Sequence, residues 1–422
     1  MRRDPEVRPP HLSPSAPTPG PAPGREALTI ALSGAEFGWG SSGKLSAVLS
    51  ALCERSPVPL RFVGLGSGLG RPLLTEHPVE RWYDLPESGP AARAALEEVV
   101  RSQGVEVALV VLDGPVAAAL EAAGVPTVFV DSLPFLWTEG DRPSLPLDAT
   151  VYCAQRSPEL PPECQGILAS IPRLRWVEAI VGTPPVPRAG GSTGRPCRKV
   201  VVSLGGLRAP RLADWTSYPR LVVPAVLEAL AAHGVRDVRL TGNLSAGLLA
   251  DFVGRSPLPL RVTAGALPHA AFLAELAGCD ALLTSPGLTT LLEAGSLGVP
   301  TLCLPPQNLS QIFNARFQRQ AVGADVQVTW PADVLREDDV LAMRAKGEDH
   351  ALELIYEAIG RAAARADAER VVAALSDRIL AALRHTAEPA DWGALATAVG
   401  TGGAAQVADA VLAAAGQSPP SS

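Results

Sequence analysis

The chain has 422 residues, of which 47% are hydrophobic and 19% charged, and its formal net charge is −7 at pH 7. This length exceeds what one compact core normally holds and predicts two domains, and the composition excludes a disordered scaffold. The negative charge argues against a nucleic-acid partner, which would need a basic face. No run reaches the ~20 apolar residues of a transmembrane segment, so we expect a cytoplasmic enzyme.

The start of the chain and its cysteines narrow the class further. The first 24 residues are rich in Pro, Ser and Arg without the apolar stretch of a signal peptide, so 1–24 is predicted to be a disordered tail. The six cysteines show no C-x-x-C spacing and the six histidines are scattered. This pattern predicts free thiols and no zinc site, and we expect no metal and no cofactor.

Residues 25–182 alternate short apolar runs with helical patterns. Strands are predicted at 27–32, 60–64, 107–112, 127–130 and 174–181, and helices at 42–54 and 91–102. Such alternation implies an α/β domain with a parallel sheet covered on both faces. The following segment, 183–198, is rich in Pro and Gly and is predicted to be an interdomain linker.

A Gly-rich loop follows the first predicted strand. Gly38-Trp39-Gly40-Ser41-Ser42-Gly43-Lys44 matches the phosphate-binding pattern G-x-x-x-x-G-K, and Asp113 after a later strand matches its metal-binding acid. A P-loop NTPase is therefore one alternative. Against it, Leu45 stands where that loop needs a Ser or Thr hydroxyl, and Ser46 is one residue late, rotated by about 100° on a helix.

Residues 199–347 show the same alternation of apolar runs and helical patterns. Strands are predicted at 199–204, 238–241, 260–263, 281–285 and 301–304, with a helix at 219–233. Gly205 and Gly206 close the first of these strands, as in a Rossmann-like turn. Residues 348–422 are Ala-rich and predicted to form C-terminal helices, the last at 404–415.

The most informative segment is 280–315. A buried strand leads through Pro286 and Gly287 into a helix that carries Thr289 and Glu293. A strand that enters a helix through a Gly turn directs backbone N–H groups and the positive helix end at a phosphate, and a carboxylate one turn later can bind sugar hydroxyls. This pattern is typical of a nucleotide site; the alternative is an ordinary αβ unit with a Gly-capped turn.

The segment resembles the donor-binding motif of GT-B glycosyltransferases, in particular the N-acetylglucosaminyltransferases that make lipid II. The resemblance implies two Rossmann-like parallel-sheet domains facing across a cleft, with an acceptor domain at 25–182 and a UDP-sugar domain at 199–347. It departs from the family where Asn308 and Ser310 replace the usual acidic residue before Gln311. The implied donor-nucleotide residues are Gly205, Gly206, Ala266, Leu267, Ser285, Gly287, Leu288, Thr289 and Glu293, and the donor-sugar residues are Gln311 and Asn314.

The loop at 34–45 instead resembles cytosylglucuronate synthases, which join UDP-glucuronate to cytosine. The lipid II enzymes have a His in this loop and the present chain has none. The resemblance implies a small acceptor, and a sugar carboxylate held by Lys44, Arg208 or Arg316. The predicted acceptor and phosphate loop comprises Phe37, Trp39, Gly40, Ser41, Ser42 and Lys44.

Transfer of a sugar to a ring nitrogen needs a base near the acceptor. Glu36 is the first candidate, Asp113 the second and Asp131 the third, and loop capping or a surface ion pair is the alternative role of each. The resemblance therefore implies a metal-independent glycosyltransferase that acts on a UDP-sugar and a small acceptor; we expect inversion at C1, although the sequence itself leaves inversion and retention open. A UDP-sugar 2-epimerase on the same fold and an inactive UDP-binding protein remain alternatives.

Overall fold

The structure is a computed structural model that describes residues 27–66, 68–86, 89–184, 197–206, 212, 214–255, 257, 259–364 and 368–417. The predicted tail at 1–24, most of the predicted linker at 183–198, and Arg208 lie outside these residues.

The first domain is built on a seven-stranded parallel sheet. Its strands read as near-continuous apolar runs because both faces of the sheet are covered; β1 is buried along its whole length. The strand order is β3-β2-β1-β4-β5-β6-β7. The strands are β1 (Leu28–Gly34), β2 (Leu60–Leu65), β3 (Val79–Tyr83), β4 (Val107–Val111), β5 (Thr127–Asp131), β6 (Val151–Gln155) and β7 (Leu174–Val177).

Helices cover both faces of this sheet. The Asp113 carboxylate caps α3 by accepting the Val116 N–H, whereas α1 begins after Trp39 with no side-chain cap. The helices of this domain are α1 (Gly40–Arg55), α2 (Gly89–Gln103), α3 (Gly114–Ala122) and α4 (Pro162–Ala169), with 3₁₀ turns at Arg71–Leu73 and Glu139–Ser144.

The second domain has a five-stranded parallel sheet in the order β10-β9-β8-β11-β12. Its strands are β8 (Lys199–Ser203), β9 (Asp237–Thr241), β10 (Arg261–Ala264), β11 (Ala281–Thr284) and β12 (Thr301–Cys303). Its helices are α5 (Ser217–His233), α6 (Ala246–Gly254), α7 (His269–Ala277), α8 (Leu288–Ser296), α9 (Leu309–Val322) and α10 (Glu337–Leu341), followed by a 3₁₀ turn at Arg344–Lys346.

The C-terminal helices join the two domains. They are α11 (Glu348–Ala364), α12 (Ala368–Leu383), α13 (Ala394–Val399) and α14 (Gly403–Ala414), with a 3₁₀ turn at Arg384–Ala387. Helices α11 and α12 pack on α5 of the second domain. Helix α14 returns to the first domain, where Val411 and Leu412 are fully buried in the same core as Ile30 and Leu32. Arg55 on α1 holds it with two hydrogen bonds of 2.8 Å to the Asp409 carboxylate.

The strand orders determine where ligands can bind. In each sheet the order reverses beside the first strand, between β1 and β4 and between β8 and β11. Open α/β sheets bind ligands outside the carboxyl ends of the strands at such a reversal. The prediction of two parallel-sheet domains facing across a cleft is confirmed. Among the described residues, no helix has the length and apolar character required to cross a bilayer.

Candidate active-site cleft

A cleft that is partly open to solvent lies between the two domains. Its walls include the loops and helix starts that follow β1, β4, β8 and β11, where the strand orders reverse, together with segments that follow β2, β5, β10 and β12. The residues of the first domain that line it include Phe37, Gly38, Trp39, Gly40, Ser41, Gly43, Lys44, Leu73, Leu112 and Leu133. Those of the second domain include Gly205, Gly206, Leu267, His269, Phe272, Ser285, Gly287, Leu288, Thr289, Glu293, Gln311 and Asn314.

The start of α8 forms the floor of the cleft on the side of the second domain. Its N-cap residue Gly287 is extended, and neither a side-chain cap nor an acidic residue is present in the first turn. The first N–H groups of a helix have no acceptor within the helix, so this end offers free donors and a positive dipole. The Asn314 Nδ2 group fixes the preceding turn by donating to the Pro286 carbonyl at 2.9 Å.

Glu293 lies one turn into α8 and is 2% exposed. Its Oε1 atom is 2.7 Å from His269 Nε2 and accepts a longer hydrogen bond, 3.5 Å, from the Gly182 N–H. Burial lowers the pKa of His269, whereas attraction to the Glu293 carboxylate and the hydrogen bond with it raise this pKa. The two raising effects together are larger, so the pKa of His269 lies above its ordinary value. Glu293 is therefore held in one orientation by a buried partner.

Lys44 enters the cleft from the first domain. The side chain is buried, and its Nζ group donates to the Thr289 hydroxyl on α8, which in turn is 3.4 Å from the Gly40 carbonyl. Burial lowers the pKa of Lys44 to about 8, although the Glu293 carboxylate acts in the opposite direction. The cation is thus placed at the α8 end, between the two domains.

A buried polar network supports the predicted sugar-binding residues. Gln311 Oε1 accepts hydrogen bonds from the Gln307 N–H at 2.9 Å and from the Ser285 hydroxyl at 3.2 Å. The Gln307 side chain donates to Ser285 Oγ at 2.6 Å and accepts from the Tyr356 hydroxyl at 2.8 Å. Among the described residues, Asn314 Oδ1 is buried without a hydrogen-bond partner. This oxygen and the Gln311 amide are available to a ligand in the cleft.

The first domain presents an apolar wall opposite these groups. The Trp39 indole is anchored by a 3.2 Å hydrogen bond from Nε1 to the Leu69 carbonyl. Leu112 has a left-handed backbone conformation with φ of 61°, which costs a residue other than glycine about 1–3 kcal/mol. Such strain recurs at functional sites, and here it occurs where β4 meets the cleft.

The three predicted bases occupy different settings. The Glu36 carboxylate accepts the Gly68 N–H at the exposed side of its loop. Asp113 accepts hydrogen bonds from the Ser33 hydroxyl at 3.0 Å and the Val116 N–H, and burial raises its pKa. Asp131 is fully buried and bonded to the Trp137 indole and the Tyr152 hydroxyl, among others, and burial raises its pKa to about 6.

Several predicted residues lie apart from the cleft wall. The described residues that line the cleft do not include Ser42, Ala266, Glu36 or Asp113. Arg316 lies on another side of α9, 3.2 Å from Glu337. No sequence pattern identified His269, Phe272 or Gln307 as part of this site. His269 is the first residue of the predicted helix after Pro268, and no motif identified its partner 24 residues later.

The Gly-rich loop does not have the contacts expected of a P-loop. Leu45 is fully buried in the first-domain core. The Ser46 hydroxyl lies 2.8 Å from His77 Nε2, so it faces away from Lys44's partner Thr289. Asp113 caps α3. In the part of the chain that the structure describes, no group of three or more His, Cys, Asp or Glu side chains is arranged to hold a metal ion.

The two domains touch at the edge of the cleft. A Cβ atom placed on Gly206 would lie 2.5 Å from Gly38 Cα and 2.7 Å from the Trp39 nitrogen. Real side chains do not come that close to backbone atoms, so the loops after β1 and β8 meet only because Gly206 has no side chain. The two domains are therefore in backbone contact at this edge of the cleft.

Comparison with known proteins identifies the architecture. No model of a protein family and no curated protein matches the sequence. Solved structures do match: the complex of Staphylococcus aureus MnaA with UDP has a TM-score of 0.53 at 12% identity, covering 90% of this chain and 94% of that one. Arabidopsis thaliana UGT89C1 with UDP-L-rhamnose has a TM-score of 0.50 at 14% identity, covering 84% and 100%.

A Listeria monocytogenes protein assigned as a UDP-N-acetylglucosamine 2-epimerase has a TM-score of 0.50 at 14% identity, covering 86% of this chain and 96% of that one. The fold is GT-B. Because the sequence identities are low, these structural matches establish the GT-B architecture alone. That part of the resemblance is confirmed. The narrower likeness to cytosylglucuronate synthases stays a prediction.

Proposed function

We propose that this chain is a glycosyltransferase that moves a sugar from a UDP-sugar to a small acceptor. One observation carries the proposal: the open start of α8, the Glu293 carboxylate and the Gln311 and Asn314 side chains all line the same cleft, and these groups suit a phosphate, a ribose and a sugar. Structures with the same fold bind UDP and UDP-L-rhamnose, which supports a UDP-sugar as the ligand.

The opposite wall favours transfer over isomerisation. Phe37, Trp39, Leu73, Leu112 and Leu133 present apolar surface to the space beyond the donor residues. A second substrate with an apolar or planar body would bury this surface, as small-molecule sites commonly do. A UDP-sugar alone leaves this wall unused.

In the transfer, one bond to C1 of the donor sugar forms and another breaks. The acceptor N–H or O–H loses its proton to a carboxylate, and its lone pair forms the bond to C1. The bond from C1 to the β-phosphate oxygen breaks, and that electron pair leaves with UDP. Glu36 and Asp113 remain the proposed bases. Burial raises the pKa of Asp113, which makes its carboxylate a stronger base.

Our more specific proposal is transfer of glucuronate from UDP-glucuronate to cytosine. Its support is the pair of aromatic side chains Phe37 and Trp39 in the cleft wall, which suit stacking on a planar base. Three residues were predicted to bind the glucuronate carboxylate. Among the described residues, Lys44 is the one of these three that lines the cleft.

The proposal is tested by incubating the protein with UDP-glucuronate, UDP-glucose or UDP-N-acetylglucosamine, each with and without cytosine, and analysing products by mass spectrometry. The expected result is UDP release and a glycosylated product that both depend on the acceptor. Glu293→Gln should abolish this activity, and Glu275→Gln, which removes a carboxylate that binds Lys199 outside the cleft, should preserve it. Turnover of ATP or GTP without sugar transfer would contradict the proposal.

A UDP-sugar 2-epimerase is the second candidate. It is favoured by the Listeria structure, which matches over most of both chains. It predicts a change in the configuration of the UDP-sugar without any acceptor. Detection of that product, with no transfer to any acceptor, would replace the first proposal by the second. UDP binding without either product would identify an inactive UDP-binding protein.

A further inference from the structure

The chain that follows β5 reaches from the first domain into the second. Residues 132–137, here called the crossing segment, begin with Ser132 and Leu133, which line the cleft. Two residues later Phe135 is fully buried, and together with Leu136 it belongs to the hydrophobic core formed by the second domain and the C-terminal helices. One short segment therefore forms part of the apolar wall of the cleft and is also embedded in the opposite domain.

Phe135 packs on α9, the helix that carries the predicted sugar-binding residues. The centre of its ring lies 5.7 Å from that of Phe313 and 5.2 Å from that of Phe317, the latter in an edge-on arrangement. Phe313 stands between Gln311 and Asn314 in α9, and both of these residues line the cleft. Because core side chains are closely packed, a shift of the crossing segment against these rings would change its distance from the sugar-binding residues.

Arg344 joins the two parts of this junction. It lies in the 3₁₀ turn after α10, and its side chain is 14% exposed. Its Nη2 group donates to the Phe135 carbonyl at 2.8 Å and to Cys164 Sγ on α4 at 3.1 Å, so it binds two elements of the first domain. Its guanidinium carbon lies 5.3 Å from the centre of the Phe313 ring, which is a cation–π distance. One side chain therefore contacts both the crossing segment and α9.

Ion pairing does not account for this largely buried cation. Among the described residues, the carboxylate within 4.0 Å of it belongs to Glu163, at 3.7 Å, and that side chain is 61% exposed. Burial raises the pKa of the Cys164 thiol, so the sulfur is uncharged at neutral pH. The buried Nε group of Arg344 has no hydrogen-bond partner in the described part of the chain. What the guanidinium gains at this position is its set of contacts across the domain boundary.

Both ends of the crossing segment are tied to the first domain. Asp131, immediately before it, accepts hydrogen bonds from the Leu133 N–H at 3.0 Å and from the Trp137 indole at 2.7 Å. The Cys164 thiol donates to the Trp137 carbonyl at 3.2 Å. The segment is thus held as one turn, and Arg344 adds a polar link from the middle of this turn to the second domain.

These contacts assign a role to Arg344 that no sequence motif indicates. We propose that Arg344 is a positioning residue for sugar transfer, which holds the crossing segment on α9 and so sets the distance between the acceptor wall and the donor sugar. The inference rests on the proposed function and deepens it. Transfer needs the acceptor atom aligned with C1, and a displacement of about 1 Å costs about 100-fold in rate. Binding of UDP alone needs no such alignment.

The first test compares steady-state kinetics with calorimetric titration of UDP. Arg344→Met keeps the aliphatic stem and removes the guanidinium, so kcat for acceptor-dependent transfer should fall about 10- to 100-fold while Kd for UDP changes less than about twofold. Arg344→Lys keeps a cation and a donor for the Phe135 carbonyl, and it should recover part of kcat. Arg361→Met is the matched control, since it removes a guanidinium that pairs with Glu357 on the exposed side of α11, and it should change neither quantity.

A second measurement does not depend on activity. Amide hydrogen exchange followed by mass spectrometry reports local opening of the chain. In the free protein, Arg344→Met should speed exchange in the crossing segment, where the Leu136 N–H donates to the Leu133 carbonyl at 2.9 Å, and in the part of α9 that contains Phe313. Exchange in α2, at a distant part of the first domain, should stay as in the wild type.

Three results would overturn the inference: unchanged exchange in the crossing segment, a kcat within about twofold of the wild type, or a loss of UDP affinity as large as the loss of kcat. If Arg344→Met does not fold, Arg344→Lys decides, and a kcat equal to that of the wild type would overturn the inference. If the wild type transfers no sugar but Arg344→Met loosens both segments, the proposed function fails and the link between the two walls stands. Transfer that Arg344→Met leaves intact would do the reverse.

Discussion

His269 and Glu293 form a buried pair at the interface of the two domains, with 2.7 Å between Nε2 and Oε1. Both side chains are nearly inaccessible, at 7% and 2%. The pair holds the carboxylate that we assign to the ribose, so it connects the stability of the fold with donor binding.

The pair predicts a pH dependence of stability. The pKa of His269 is raised in the folded chain, so its contribution is fully present below the unfolded value of about 6.5 and is lost as the pH rises through the folded pKa. The difference in free energy of unfolding between the wild type and His269→Gln should therefore be largest at or below about pH 6 and shrink above it. Urea denaturation over this range measures the difference.

His385→Gln is the control for this experiment. His385 also pairs with a glutamate, Glu388, at 3.2 Å, but the two side chains are 37% and 59% exposed. Exposed pairs contribute less than about 1 kcal/mol, so the control should change stability little at any pH. A pH-independent difference for His269→Gln would show that the imidazole acts only through packing.

The contact between Gly206 and Gly38 predicts a second effect. Gly206→Ala places a methyl group against the opposite backbone, so the domains must separate at this edge. We expect kcat/KM for the UDP-sugar to fall about 10- to 100-fold, because the groups of the two domains no longer meet, with little change in melting temperature. Steady-state kinetics measure the loss.

Gly247→Ala is the matched substitution. A Cβ at Gly247 on α6 meets no atom within 4 Å, so this change should leave turnover unaffected and stabilise the helix by roughly 0.5–1 kcal/mol. Unchanged kinetics for Gly206→Ala would mean that the closed contact is not needed for catalysis.

Gln311 predicts how the donor sugar is recognised. Gln311→Glu keeps the oxygen that accepts from Gln307 and Ser285 and removes the NH₂ donor at the other end of the amide. The affinity for the UDP-sugar should fall about 10-fold or more, and that for UDP by much less. Gln320→Glu makes the same change on an exposed position of α9 and should alter neither. Equal losses for UDP and UDP-sugar would place Gln311 at the nucleotide instead.

Much of the fold followed from local pattern. The apolar runs at 28–34 and 107–111 became central strands because both faces of a parallel sheet are buried, which leaves a continuous signal. The edge strand β3 was not predicted: Val79–Tyr83 contains Glu80, Arg81 and Trp82 and is largely uncovered, so it lacks that signal. The helices α3, α4 and α6 are only 8 or 9 residues long and were likewise not predicted.

The site was predictable where it is local in sequence. Gly287, Thr289 and Glu293 lie on one strand–turn–helix unit, so their spacing alone places them on one wall of the cleft. Contacts between distant elements carry no such spacing. Lys44 meets Thr289 across 245 positions because the two domains dock there, and Glu293 meets His269 from a different helix of the same domain. Periodicity encodes neither how the domains dock nor which helices of one domain become neighbours.

The measurement that tests the central claim most directly is calorimetric titration of the wild type and Glu293→Ala with UDP and with 2′-deoxy-UDP. If Glu293 binds the ribose hydroxyls, the wild type should prefer UDP about tenfold or more, and Glu293→Ala should bind both ligands weakly and alike. Equal affinity of the wild type for the two ligands, or a preference that survives in Glu293→Ala, would contradict the assignment of this cleft as a UDP-sugar site.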